Sequence, residues 1–101
     1  MKLVRDKIPD IIRSTGQEPE VTVAMGGVYR ELLVAKMQEE LAEFAEDPCE
    51  EEAADMLEVF RALIEYHNIS FEAAEAAREE KFISRGGFET GAVLWSVSAD
   101  E

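Results

Sequence analysis

From Met37 to Phe60 the chain carries ten acidic residues and no lysine or arginine, yet apolar residues recur through the same stretch at helical spacing. Asp47-Pro48 cuts the stretch near its middle. Acidic sequence without periodicity stays solvated; with a 3.6-residue period it reads as amphipathic helix. Two such helices on either side of a proline break form a tight helical hairpin. The fold then has to bury two apolar stripes and find a place for the carboxylates that interrupt them.

The remaining chain punctuates itself. Pro9 to Ser14 reads as a short helix, with Pro in the first turn and Gly16 as a left-handed C-terminal cap. Gln17 to Glu20 is a loop. Val21 to Met25 is a short β-prone run, and Gly26-Gly27 is a turn or hinge. The first long helix spans Val28 to Glu46. Asp47 caps the next one, with Pro48 as its first residue, and that helix runs to Tyr66. His67-Asn68-Ile69 connects it to a third, capped by Ser70 and running from Phe71 to about Ile83 before Arg85-Gly86-Gly87 ends it. Ala92 to Val97 is a second β-prone run, able to pair with Val21–Met25. The expected fold is all-α: a helical bundle with short β-prone terminal segments, one domain over residues 1–101.

On a wheel of about 100° per residue, Tyr29, Leu33, Met37, Leu41 and Phe44 line one face of the first long helix. Glu40 falls inside that stripe and Glu43 on its edge beside Lys36, whereas Glu39 and Glu46 point away. On the second long helix the stripe is Ala53, Met56, Leu57, Val59, Phe60, Leu63 and Ile64. Glu52 falls inside it and Asp55 at its edge; Glu51, Glu58 and Glu65 point to solvent. Each helix therefore turns a carboxylate pair toward the seam, Glu40/Glu43 and Glu52/Asp55, at the i, i+3 spacing that keeps two side chains on one face. Four half-buried carboxylates repel one another and lose hydration. Either their proton affinities rise, or Lys36, Arg61 or Arg78 pairs with them, or divalent cations do. Oxygen-only ligands suit a hard cation, Mg²⁺ or Mn²⁺. A di-iron carboxylate bundle would need two Glu-x-x-His pairs, and His67 is the only histidine.

Charge and composition narrow the function classes. Twenty-three acids against ten bases give a net charge of −13, which disfavours a nucleic acid polymer or an anionic membrane as partner. A small polyanion needs metal or a local basic patch. The bases gather near the two ends: Lys2, Arg5, Lys7 and Arg13, then Arg78, Lys81 and Arg85. The single cysteine, Cys49, allows no intrachain disulfide and no four-thiolate zinc site. No apolar run reaches the length of a membrane span. Patterned sequence begins at once, with no visible signal peptide, so a reducing cytoplasm is the expected location.

Gln38-Glu39-Glu40-Leu41-Ala42-Glu43 followed by Glu51-Glu52-Ala53-Ala54-Asp55 resembles the E-E-x-x-E … E-x-x-D signature of the all-α nucleoside triphosphate pyrophosphohydrolases, the MazG-like superfamily. Lys2-Leu3-Val4-Arg5-Asp6-Lys7-Ile8-Pro9 resembles the opening of its phosphoribosyl-ATP pyrophosphohydrolase-like subgroup. Lys81-Phe82-Ile83-Ser84-Arg85-Gly86-Gly87-Phe88 resembles that subgroup's closing K-x-x-x-R-G-G-F. The connection between Glu43 and Glu52, Phe44 to Glu51, is shorter than in many members.

The resemblance implies the all-α pyrophosphatase bundle and Mg²⁺-dependent cleavage between the α and β phosphates of a nucleoside triphosphate. It implies Glu40, Glu43, Glu52 and Asp55 as metal ligands and Glu39 with Glu40 as catalytic acids, Glu39 acting through a water. Lys81, Arg85, Arg5 and Lys7 become candidate phosphate ligands, as does Lys36 unless it simply pairs with Glu39 or Glu40. It also implies assembly, as a homodimer or homotetramer, which would complete a core that three main helices leave open. Phosphoribosyl-ATP hydrolysis suits the same motif. A non-catalytic helical oligomer that binds nucleotide or protein is the reading from a different class. Phe88 and Trp95 read as core or subunit contacts, and His67 as structural.

Overall fold

The structure, a computed structural model, describes residues 1–99. It is all-α: the described residues form α1 (Ile8–Ser14), α2 (Gly26–Glu46), α3 (Glu50–Tyr66) and α4 (Phe71–Arg85), with no strand. Two compact units divide at Ile69/Ser70. The first holds α1 to α3; the second begins with α4.

In the first unit α2 and α3 pack against each other across the connection Asp47–Cys49. They run antiparallel, which their far ends demonstrate. Tyr29 near the start of α2 meets Tyr66 at the end of α3 edge to face, with ring centroids 5.9 Å apart. Beside it Arg30 Nε donates to His67 Nε2 at 3.2 Å, so His67 ties the open end of the hairpin together. At the seam sits Leu33, 4% exposed and the one buried hydrophobic residue among those described.

Several local expectations change. Gly26 and Gly27 are not a hinge; they form the first residues of α2, which Gly26 enters at φ +59°, a conformation open to glycine. Asp47 does not cap α3. It closes α2, its N–H donating to the Glu43 carbonyl at 3.0 Å, while Cys49 takes the N-cap position of α3. The reason lies in charge: Glu50, Glu51 and Glu52 then occupy the first turn of α3, where carboxylates meet the positive end of the helix dipole. The β-prone runs Val21–Met25 and Ala92–Val97 are not strands; β propensity without a paired neighbour builds no ladder. Leu41 and Leu57, assigned to the apolar stripes, are exposed in the single chain.

In the second unit Ser70 caps α4, its hydroxyl accepting from the Ala73 N–H at 3.1 Å, an arrangement worth about 1 kcal/mol. Arg78 pairs with Glu75 one turn earlier on α4. Gly86 ends the helix at φ +82°, and its N–H donates to the Phe82 carbonyl at 2.8 Å, so this amide is already engaged. Phe88 and Trp95 are almost fully exposed, outside any core of the single chain.

Candidate metal centre

The helical period of α2 sets Glu40 one turn beyond Lys36 and two beyond Leu33, on the face that packs against α3. Glu40 is 5% exposed, the only buried charged residue among those described. From α3, Glu52 in the first turn and Asp55 one turn later approach it. One carboxylate oxygen each from Glu40, Glu52 and Asp55 lie within 4.8 Å of one another. The hairpin thus brings together three of the four carboxylates that the seam pattern selects. The fourth, Glu43, stays exposed and outside this group, although it adjoins Glu40 closely enough to affect its proton affinity.

Cations compensate the cluster only in part. Lys36 Nζ lies 3.3 Å from Glu40 Oε1 and 3.6 Å from Glu39 Oε1. Arg5 Nη2 donates to Asp55 Oδ1 at 2.7 Å. Yet Glu40 Oε2 and Glu52 Oε2 are buried with no hydrogen-bond partner. Loss of hydration pushes the Glu40 carboxyl above the usual glutamate range; the adjacent Glu43 adds to this, and Lys36 opposes it without cancelling it. Unpartnered carboxylate oxygens in a half-dry seam are costly, and a metal ion is the partner that would satisfy two at once. The residues present fit one: three carboxylates from two helices converge, and two of them carry a buried oxygen without a partner. Glu40, Glu52 and Asp55 could hold a metal ion.

Of the other candidates, Glu39, Arg5 and Lys7 belong to the same unit as this cluster. Glu39 is half-exposed beside Lys36 rather than fully turned to solvent. Arg5 and Lys7 lie in the N-terminal segment, which borders a cleft of about 550 Å³ over α2 and α3. Arg5, Lys7, Lys36, Tyr29 and Leu33 all line it. Lys81 and Arg85 are exposed on the last turns of α4 in the second unit. The pairing of Arg5 with Asp55 had no signal in local sequence, since fifty positions separate the two and helical spacing says nothing across such a gap. Among the described residues no helix is long and apolar enough to cross a membrane. Comparison with family profiles, curated proteins and solved structures finds no match for this chain.

Proposed function

We propose that this chain is a Mg²⁺-dependent pyrophosphohydrolase, cutting a nucleoside triphosphate, standard or non-canonical, into monophosphate and pyrophosphate. The observation that carries the reading is the pair of buried, unpartnered oxygens on Glu40 and Glu52 within a three-carboxylate cluster. The resemblance of the surrounding motif to the MazG-like signature supplies the reaction.

Glu40, Glu52 and Asp55 would hold the cation, joined by Glu43 through rotation of its exposed side chain. A bound Mg²⁺, or Mn²⁺ in its place, supplies charge neutralisation at phosphate oxygens and a lowered pKa for the attacking water. Glu39 stands one residue from the cluster, accessible to solvent, and would accept a proton from an attacking water. Lys36 lies within reach of both Glu39 and Glu40 and fixes their spacing. Arg5 and Lys7 at the cleft present cationic groups to the phosphates, and Lys81 and Arg85 remain candidates for the same work. Charge on the transferring group needs such donors, because phosphoryl chemistry is governed by positioning and electrostatics.

A homodimer or homotetramer belongs to this reading. Leu41, Leu57 and Phe60 on the hairpin stay exposed in one chain, and a second copy would cover them.

Incubation with Mg²⁺ and a panel of standard and modified triphosphates, with phosphoribosyl-ATP as a separate arm, is expected to release pyrophosphate from at least one triphosphate. Release only from phosphoribosyl-ATP would move the assignment to that substrate. No release from any of them would contradict the enzymatic reading and favour a non-catalytic binding protein.

A further inference from the structure

We infer that Arg5 exchanges partners: it competes with a bound divalent cation for Asp55, and once displaced it serves a phosphate of the nucleotide. The inference rests on the proposed hydrolase reading and adds an order of events to it.

Three observations meet at this residue. Arg5 donates to Asp55 Oδ1 at 2.7 Å, and Asp55 is one of the three carboxylates of the cluster. A guanidinium seated on a ligand carboxylate repels a divalent ion arriving at the same group, so the two cations oppose each other there. The pair is also weakly held. The side chains are 54% and 39% exposed, and ion pairs at such sites are screened by solvent and contribute little. A divalent cation with three carboxylates to bind displaces it easily. Finally, Arg5 lines the cleft together with Lys36, which itself reaches Glu40. A guanidinium released from Asp55 remains on that cleft, whose wall carries Glu58 and Glu65 but none of the three cluster carboxylates. Its planar fork matches phosphate oxygens as well as it matches a carboxylate.

Exchange makes a prediction of opposite signs. Arg5→Gln removes the competitor, so Mn²⁺ titrated alone by calorimetry is expected to bind about two- to fivefold more tightly than to wild type. With saturating Mn²⁺, a non-hydrolysable triphosphate is expected to bind the same variant about tenfold more weakly. Arg5→Lys should restore part of the triphosphate affinity, because charge is kept and the fork is lost. A merely structural role, in which Arg5 anchors the N-terminal segment to α3, would weaken both affinities together and lower the melting temperature. Unchanged or weaker Mn²⁺ binding by Arg5→Gln would overturn the exchange, as would tighter Mn²⁺ binding with unaltered triphosphate affinity. Failure of the hydrolase reading looks different: wild type itself would bind Mn²⁺ and no triphosphate.

Discussion

Replacing Glu52 by glutamine is expected to cut pyrophosphate release by about a hundredfold or more while leaving the helical fold intact. Glu52 occupies the first turn of α3, where the helix dipole favours its negative charge, and its Oε2 is buried without a partner. The amide keeps the volume and the first-turn position but presents a neutral oxygen or an N–H in place of a ligand oxygen. Metal binding should fall with activity. Circular dichroism should show unchanged helix content, which separates loss of a ligand from loss of fold. A variant that keeps full rate would remove Glu52 from the catalytic site.

Glu40→Gln is expected to be more stable than wild type without metal and less stable than wild type with it. In the folded chain the Glu40 carboxyl is pushed above its ordinary range, chiefly by burial, with Glu43 adding and Lys36 opposing. Glu52 and Asp55 face it from α3. A carboxyl with a raised folded-state pKa costs nothing while protonated in both folded and unfolded chains, at pH below the ordinary glutamate range. The cost grows as pH climbs from there through the folded-state value, and is complete above it. With metal chelated, wild type should therefore lose stability over that interval, and Glu40→Gln should lose less. At neutral pH the variant is expected to be more stable by about 1 kcal/mol, read from denaturant midpoints. Saturating Mg²⁺ should invert the order. Ligand binding at a hundredfold above Kd adds about 2.7 kcal/mol to wild type, and the variant, lacking a central ligand, should gain little. A Glu40→Gln chain less stable than wild type under chelation would show that the Lys36 pair outweighs the burial cost.

What was legible in the sequence follows from how local the determining physics is. The Glu40 position needed only the 3.6-residue period and the apolar residues around it, and the wheel placed it in the seam. Ser70 declared itself by residue type ahead of an apolar-periodic run, and its hydroxyl accepts from the Ala73 amide. Asp47 misled because Asp-Pro is a strong start signal, while three consecutive glutamates after it give the dipole a better place to begin. Val21–Met25 misled because β propensity measures fit to a sheet that must be built by another segment. Within the candidate site, Glu52 and Asp55 were legible for the same reason as Glu40. Glu43 and Asp55 both sit at stripe edges; Asp55 is held by Arg5, whereas the Glu43 side chain stays in solvent. Arg5 was legible as a cation and not as the partner of Asp55, because that contact depends on where the N-terminal segment crosses the hairpin.

The net charge of −13 acquires a location from the fold. Glu46, Glu51, Glu58 and Glu65 are exposed, as solvated helix faces should be. Glu40, Glu52 and Asp55 are withdrawn from water to different degrees and turned toward one another. This small part of the acid excess calls for a cation that the chain supplies only in part.

Calorimetric titration of the wild-type chain with Mn²⁺, repeated on Glu52→Gln, tests this requirement most directly. Saturable, site-specific heat in wild type that is lost in the variant is the expected result. Heats no different from dilution in wild type would contradict a metal centre between α2 and α3, and the hydrolase proposal with it.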